Sequence, residues 1–263
     1  MYYTTCTMTK PLESCNIPEE VWWIAHIPNH ITTVIEYGCG IGVTNTILKK
    51  FCPNRFKYIG ITEEADKIKA AQFIHSDTEF FSTIEEFKKT YGTPLDSVFV
   101  MNFSISELYS KVGNCEARIF LRKIIDMGFD YIAIRDMKLD RTREHRYFKV
   151  PLLERVKLEW QIKNSGYLKP FKEYKEYPHH PRKSLAFYEE FFLKYFYLRE
   201  DWEKYLEKRF LWDWTPYLKY DIGNSYISVF AESYCSSYIK DKVKKDFNYD
   251  MFHTHVKLLL RKE

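Results

Sequence analysis

The sequence predicts an α/β domain built on a parallel sheet, interrupted late in the chain by a helical insertion rich in aromatic residues. Two observations carry this. Short apolar runs alternate with helical stretches between residues 34 and 140, and the strands are continuously apolar rather than alternating, as in a sheet covered on both faces. Residues 141–223 then break that rhythm, after which a strand, a helix and a last strand follow.

Each element has its own signal. Val34–Tyr37 reads as a first strand ending in glycines, and Thr44–Phe51 as a helix closed by Cys52-Pro53-Asn54. Lys57–Ile61 is a second strand. Glu63–Ile74 is a helix, acidic at its start and basic after it, as the helix dipole prefers. Glu79–Ser82 reads as a third strand, and Ile84–Tyr91 as a helix stopped by Gly92 and Pro94. Leu95–Met101 is the fourth strand. Glu116–Met127 is a helix ended by Gly128, and Phe129–Ile134 is the fifth strand. Later come Ser225–Glu232 as a strand, Tyr238–Phe247 as a helix and Thr254–Arg261 as a strand. The resulting segments are an N-terminal helical extension (1–33), an α/β core (34–140), an inserted helical segment (141–223) and a C-terminal completion of the core (224–263).

Composition narrows the class. The chain has 263 residues, of which 18% are aromatic, so a disordered chain is excluded. With 9 Gly and 10 Pro, collagen-like and linker architectures are excluded too. No run of about 20 apolar residues suggests a membrane span, and the N-terminus lacks the pattern of a signal peptide. Six scattered cysteines form no CxxC pair, and no His/Cys spacing suits zinc, so a cytoplasmic protein with reduced thiols and no bound metal is expected. His179-His180, between two prolines, has no third ligand nearby in the sequence and reads as a solvated loop. The net charge is +4, but residues 141–223 alone hold 18 Lys/Arg against 13 Asp/Glu. That excess is a weak pointer to an anionic partner.

The sharpest motif is Glu36-Tyr37-Gly38-Cys39-Gly40-Ile41-Gly42. Glycines alternating between a strand and a helix let the backbone turn and approach a ligand with no Cβ in the way. The helix beyond offers free N–H groups. The spacing is neither that of a dinucleotide fingerprint nor that of a P-loop.

This motif resembles the first motif of class I S-adenosylmethionine-dependent methyltransferases. Ser106–Ser110, Arg135-Asp136-Met137 and the segment from Tyr238 to Leu258 are similar to a poorly characterised microbial and viral group among them. The resemblance covers residues 30–140 and 225–263. It implies a doubly wound, Rossmann-like sheet of seven strands with the last one antiparallel, and S-adenosyl-L-methionine as cofactor. Gly38, Cys39, Gly40 and Gly42 would pass under the methionine part, and Glu36 would fix the loop or the amino group. The ribose position falls on Thr62 with Glu63 next to it, and either could serve. Ser82 falls near the adenine, and Asn102 and Phe103 near the transferred methyl. The family group tends to carry a His where this chain has Ser106, so Glu107 and Asp136 are the fallback carboxylates beside Asn102 for catalysis.

The implied activity is methyl transfer. An inserted cap over the carboxyl ends of the strands would choose the acceptor, because open α/β sheets bind ligands there. Three functions stay open: a methyltransferase acting on RNA or another nucleic acid, one acting on a small molecule, and a non-catalytic subunit of this fold that binds a partner. Dense aromatics and positive charge in the insertion suit nucleic acid, although a helical cap also needs aromatics for its own core. Lacking a clear base, the sequence leans towards a nitrogen acceptor.

Overall fold

The computed structural model describes residues 17–138, 149–176, 179–198, 211 and 213–263. Cys6, Cys15, Trp202, Trp212, residues 1–16 of the N-terminal extension and residues 139–148 and 199–210 of the insertion lie outside them. The strands are β1 (Thr33–Tyr37), β2 (Lys57–Ile61), β3 (Glu79–Phe81), β4 (Ser97–Asn102), β5 (Tyr131–Met137), β6 (Tyr226–Tyr234) and β7 (His255–Lys262). The helices are α1 (Ile17–Glu20), α2 (Val43–Phe51), α3 (Ala65–Ile74), α4 (Ile84–Tyr91), α5 (Ser104–Met127), α6 (Leu152–Asn164), α7 (Leu168–Tyr174), α8 (Leu185–Leu198), α9 (Thr215–Ile222) and α10 (Ser237–Phe247). A 3₁₀ turn spans Trp22–His26.

All seven strands join one sheet in the order β3-β2-β1-β4-β5-β7-β6. The five strands from β3 to β5 are parallel. β7 runs against β5, because Lys138 donates to Thr254 O at one end and Lys262 to Asp130 O at the other. It also runs against β6, with Thr254 donating to Tyr234 O and Glu263 to Ser225 O. This is the mixed, doubly wound arrangement expected from the glycine motif and its resemblance, reversed strand included. The interior strands are apolar for a direct reason: every residue of β4 and of β5 is buried.

Two elements differ from the sequence reading. β5 continues to Met137, three residues further, and α5 begins at Ser104 rather than Glu116. β5 is carried on by its pairing with β7, where Lys138 donates to Thr254 O, and the early start of α5 has its cause in β5. The buried Asp136 carboxylate accepts the Ser106 N–H at 2.8 Å, so a side chain from β5 satisfies the N-terminus of α5. Within α5 the chain leaves helical geometry at Gly113 (φ 80°, ψ 175°), which accounts for the weak helical signal over 104–115.

Two compact units emerge. The first contains residues 1–136, 215–232 and 257–263, and the second residues 137–214 and 233–256. The first unit has a core of Trp22, Trp23, Ile31, Val34, Tyr58, Val98, Val100 and Leu259, among others. On its helical side, α9 is tied to α5 by the Arg118 fork on Asp221 (2.9 Å). In the second unit the aromatics pack on one another. Phe192 stacks on Phe247 at 4.6 Å, Tyr174 meets Phe187 at 4.9 Å, and Phe171 meets Phe191 at 5.0 Å. Phe171, Tyr174, Phe187, Tyr188, Phe191 and Phe192 are all buried. His180 is buried as well, 2.8 Å from the Glu190 carboxylate, where the sequence suggested a solvated loop. Burial alone would raise the Glu190 pKa, but Lys194 and His180 outweigh it and hold the carboxyl down at about 2. Among the described residues no helix is long and apolar enough to cross a membrane, and no three metal-ligating side chains converge.

Trp23 is fully buried, and its Nε1 has no hydrogen-bond partner among the described residues. Trp23→Ala should therefore cost about 3–5 kcal/mol through the cavity it leaves. Trp23→Phe should cost far less, since it removes an unsatisfied N–H along with part of the ring. Urea denaturation midpoints of the two variants test this, and equal losses would refute it.

Candidate functional site

The site is assembled at the carboxyl end of β1. Gly38 and Cys39 donate backbone N–H groups to Ile61 O at 2.9 and 3.2 Å, which binds the turn to the end of β2. Gly38, Gly40 and Gly42 have φ of 75°, 56° and 83°. The chain thus turns through the left-handed region three times within five residues, a path that favours glycine. Gly42 ends the turn as the N-cap of α2, and its carbonyl accepts from Thr46 N at 3.2 Å.

Beneath the turn, Glu36 is 4% exposed. Its carboxylate accepts from Thr44 Oγ1 at 2.8 Å, Tyr58 Oη at 2.5 Å and Asn102 Nδ2 at 3.2 Å. Burial pushes its pKa up to about 7, against the pull of these three donors, and the nearby Glu20 adds to the rise. Asn102 Nδ2 also lies 3.3 Å from Glu20 O, whereas its Oδ1 is buried with no hydrogen-bond partner among the described residues. After Asn102 the chain passes through Phe103, a buried non-glycine residue at φ 56°. The Arg135 guanidinium lies over the Phe103 ring at 4.5 Å and binds Glu20 at 2.9 Å and Glu19 at 2.8 Å. Ser104 Oγ lies 2.8 Å from Tyr37 O and would meet a Cβ on Gly38 at 2.5 Å.

The predicted residues divide into groups. Glu36, Gly38, Cys39, Gly40, Gly42, Asn102 and Phe103 meet at the ends of β1 and β4. Thr62 is buried at the end of β2, where its N–H bonds to Phe81 O. Glu63 is about half exposed and already accepts from Tyr37 Oη (3.0 Å) and Lys111 Nζ (2.5 Å). Partial burial raises its pKa less than these partners lower it, so the carboxyl stays ionised. Ser82 stands apart at the end of β3, with its N–H and hydroxyl both on Glu86 (3.0 and 2.6 Å). Asp136 is fully buried at the head of α5, and Glu107 is half-buried one residue after the Ser106 it holds.

Sequence reasoning missed Tyr58, Thr44, His75 and the Glu19/Glu20 pair on Arg135. Their partners lie 8 to more than 100 residues away, and no local pattern marks such contacts. The acidic pair just before Trp22-Trp23 is the one feature that the sequence displays openly.

No protein-family model and no curated protein matches the chain. Solved structures do. The plantazolicin methyltransferase BpumL, in complex with a desmethylPZN analogue and SAH, is 10% identical over 94% of this chain and 82% of its own, with a TM-score of 0.49. PKMT2 from Rickettsia typhi, in complex with AdoHcy, is 13% identical over 90% of this chain but 49% of its own, with a TM-score of 0.47. A protein solved for the conversion of a disulfide bond into a thioacetal group in echinomycin biosynthesis is 9% identical over 94% of this chain and 84% of its own (TM-score 0.49). At such identities the fold is read from the strand order of this chain itself.

The Glu36 carboxyl gives a pH signature. Its folded value of about 7 lies above the ordinary 4.5, so the folded state holds this proton more tightly than the unfolded chain. Stability should therefore fall as pH rises between these two values, by a total of about 3 kcal/mol. Glu36→Gln lacks this slope. Denaturation midpoints at about pH 5 and about pH 8 should draw apart between wild type and variant, to the disadvantage of wild type at the higher pH. Parallel midpoints would mean that Glu36 ionises normally.

Proposed function

We propose that this protein is an S-adenosyl-L-methionine-dependent methyltransferase with its cofactor on the Gly38–Gly42 turn. One observation carries the reading. The chain runs from β1 outwards to β2 and β3, then returns to the other side of β1 as β4, so the glycine turn stands at the switch point where open α/β sheets bind ligands. The residues present fit such a cofactor. The turn presents backbone free of side chains, and Asn102 Oδ1 is a buried acceptor awaiting a donor, as a methionyl ammonium would supply.

In this reading Gly38, Cys39, Gly40 and Gly42 line the methionine part, and Glu36 holds Asn102 and the turn in place from below. Thr62 and Glu63 stand on the ribose side, with Glu63 anchored by Tyr37 and Lys111. Ser82 stands on the adenine side, and Asn102 and Phe103 face the methyl. S-adenosylmethionine supplies an activated sulfonium methyl group when bound. The protein's own work is to align the acceptor and exclude water.

We assign the acceptor as a nitrogen. Asp136 is committed to the N-terminus of α5, which leaves the half-buried Glu107 as the carboxylate of that region with some exposure. A hydroxyl would need a base to take its proton, whereas a nitrogen lone pair does not. The net charge of residues 141–223 supports a nucleic-acid acceptor. Phe171, Tyr174, Phe187, Tyr188, Phe191, Phe192 and Phe196 of α7 and α8 lend that acceptor no stacking platform, since they are buried in their own core.

Titration calorimetry with S-adenosylmethionine should show micromolar affinity, about −8 kcal/mol. Gly40→Val should abolish it. Absence of binding by wild type up to millimolar cofactor would end the methyltransferase reading. Given an acceptor, Glu107→Gln should keep most of the activity, as should Asp136→Asn if it stays folded. A loss of about a thousandfold in either, with cofactor affinity intact, would indicate general-base catalysis and an oxygen acceptor.

A further inference from the structure

His75 closes α3 and is 6% exposed. Its backbone is fixed on both sides: the N–H bonds to Ala71 O at 2.8 Å, and the carbonyl accepts from Thr78 N at 3.0 Å. The ring leans on Phe80, with centroids 6.2 Å apart, and its other edge meets the start of α2. Nε2 lies 3.4 Å from Thr46 Oγ1, which itself lies 3.5 Å from Gly42 O. A Cβ on Gly42 would come within 2.9 Å of His75 Cδ2 and 3.0 Å of Nε2. The imidazole therefore fills the volume that a side chain at position 42 would need. Burial, and after it Lys49, push the imidazole pKa down, and the neighbouring backbone of Gly42 and Ile41 opposes that fall. The ring thus meets the end of the glycine turn by packing at Gly42 and by its Nε2 at Thr46.

We infer that His75 is the positioning residue of the glycine turn, holding Gly42 directly and, through Thr46, the start of α2 in the conformation that receives the cofactor. The inference rests on the methyltransferase reading of that turn. Its physical basis is entropy. A segment with three glycines has more freedom to lose on ordering than any other of its length. A brace that orders it before the ligand arrives removes that cost from binding. His75 lies on the β3 side of the turn and has no part in the chemistry at the ends of β4 and β5, so it acts on cofactor affinity and leaves the methyl-transfer step alone.

Two measurements on the 263-residue chain test this. In the ligand-free protein, hydrogen exchange of the amides from Ile41 to Thr46 should be faster in His75→Ala than in wild type. His75→Gln, whose amide can still reach Thr46 Oγ1, should restore much of the protection. By calorimetry, the affinity for S-adenosylhomocysteine should fall about tenfold in His75→Ala and recover in His75→Gln. Gly42→Ala should also weaken binding, because its Cβ strikes the ring. Adding His75→Ala to it should cost less than His75→Ala costs in the wild-type background. Unchanged exchange in His75→Ala overturns the brace. Undiminished affinity, with wild type binding normally, overturns the positioning role alone. No binding by wild type overturns the methyltransferase reading, and the cofactor role of His75 falls with it. If His75→Ala does not fold, the Gln and Gly42 variants carry the same comparison.

Discussion

Everything at the carboxyl end of the sheet depends on one buried carboxyl group. Glu36 lies on β1, the middle one of the five parallel strands, and its three donors come from three different elements: Thr44 from α2, Tyr58 from β2 and Asn102 from β4. A carboxylate in such a place must find hydrogen bonds or give up its charge. Glu36 does some of both, with three donors in place and a pKa raised to about 7. The result is a joint. The strand before the glycine turn, the helix after it and the end of the neighbouring strand are all referred to a single side chain. Asn102 is oriented by the same joint, its amide nitrogen drawn to Glu36 and its oxygen left for another partner.

The sequence reveals this joint only in part. Three glycines after an apolar strand mark the turn, because few other arrangements require glycine at alternate positions. The same logic locates β1 and β4, whose apolar runs are long enough for burial on both faces. What stays hidden is whatever depends on contacts far along the chain. The helix α5 looks unstarted at Ser104 because its N-terminus is satisfied by Asp136, 30 residues later. Arg135 enters the sequence only as part of a resemblance, and its partners Glu19 and Glu20 lie more than 100 residues away. Glu63 looks like a free acid after β2 until Tyr37 and Lys111 are found on it. Sequence patterns report local periodicity, and none of these contacts is periodic.

The aromatic second unit is ambiguous in sequence for a different reason. Its composition admits two uses for Phe and Tyr, as a core or as stacking platforms. α7, α8 and α10 are short to medium helices whose described rings pack on one another, so they bury apolar area among themselves. Large rings supply that area with few side chains. Phe171, Phe187, Phe191, Phe192 and Phe247 are almost entirely enclosed as a result. The local richness in aromatics is thus explained by the demands of a small helical core, and the positive charge of the segment becomes an independent observation instead of half of a pattern.

The three glycines of the turn answer to different constraints. At position 38 a Cβ would strike Ser104 Oγ, and Ser104 cannot give way easily because it begins α5 and bonds to Tyr37 O. Phe103, just before it, holds a left-handed backbone under the Arg135 guanidinium, an arrangement that costs energy and persists because its surroundings enforce it. At position 42 the obstacle is the His75 ring. Glycine at both of these positions is therefore required by the packing of the protein itself, whether or not a ligand ever arrives. Gly40 lies between them with φ 56°, a conformation that Asn or Asp tolerates at moderate cost. Substitutions at Gly38 and Gly42 therefore disturb the turn through the neighbours they strike as well as through their backbone, and at Gly40 the positive φ alone already opposes a β-branched side chain.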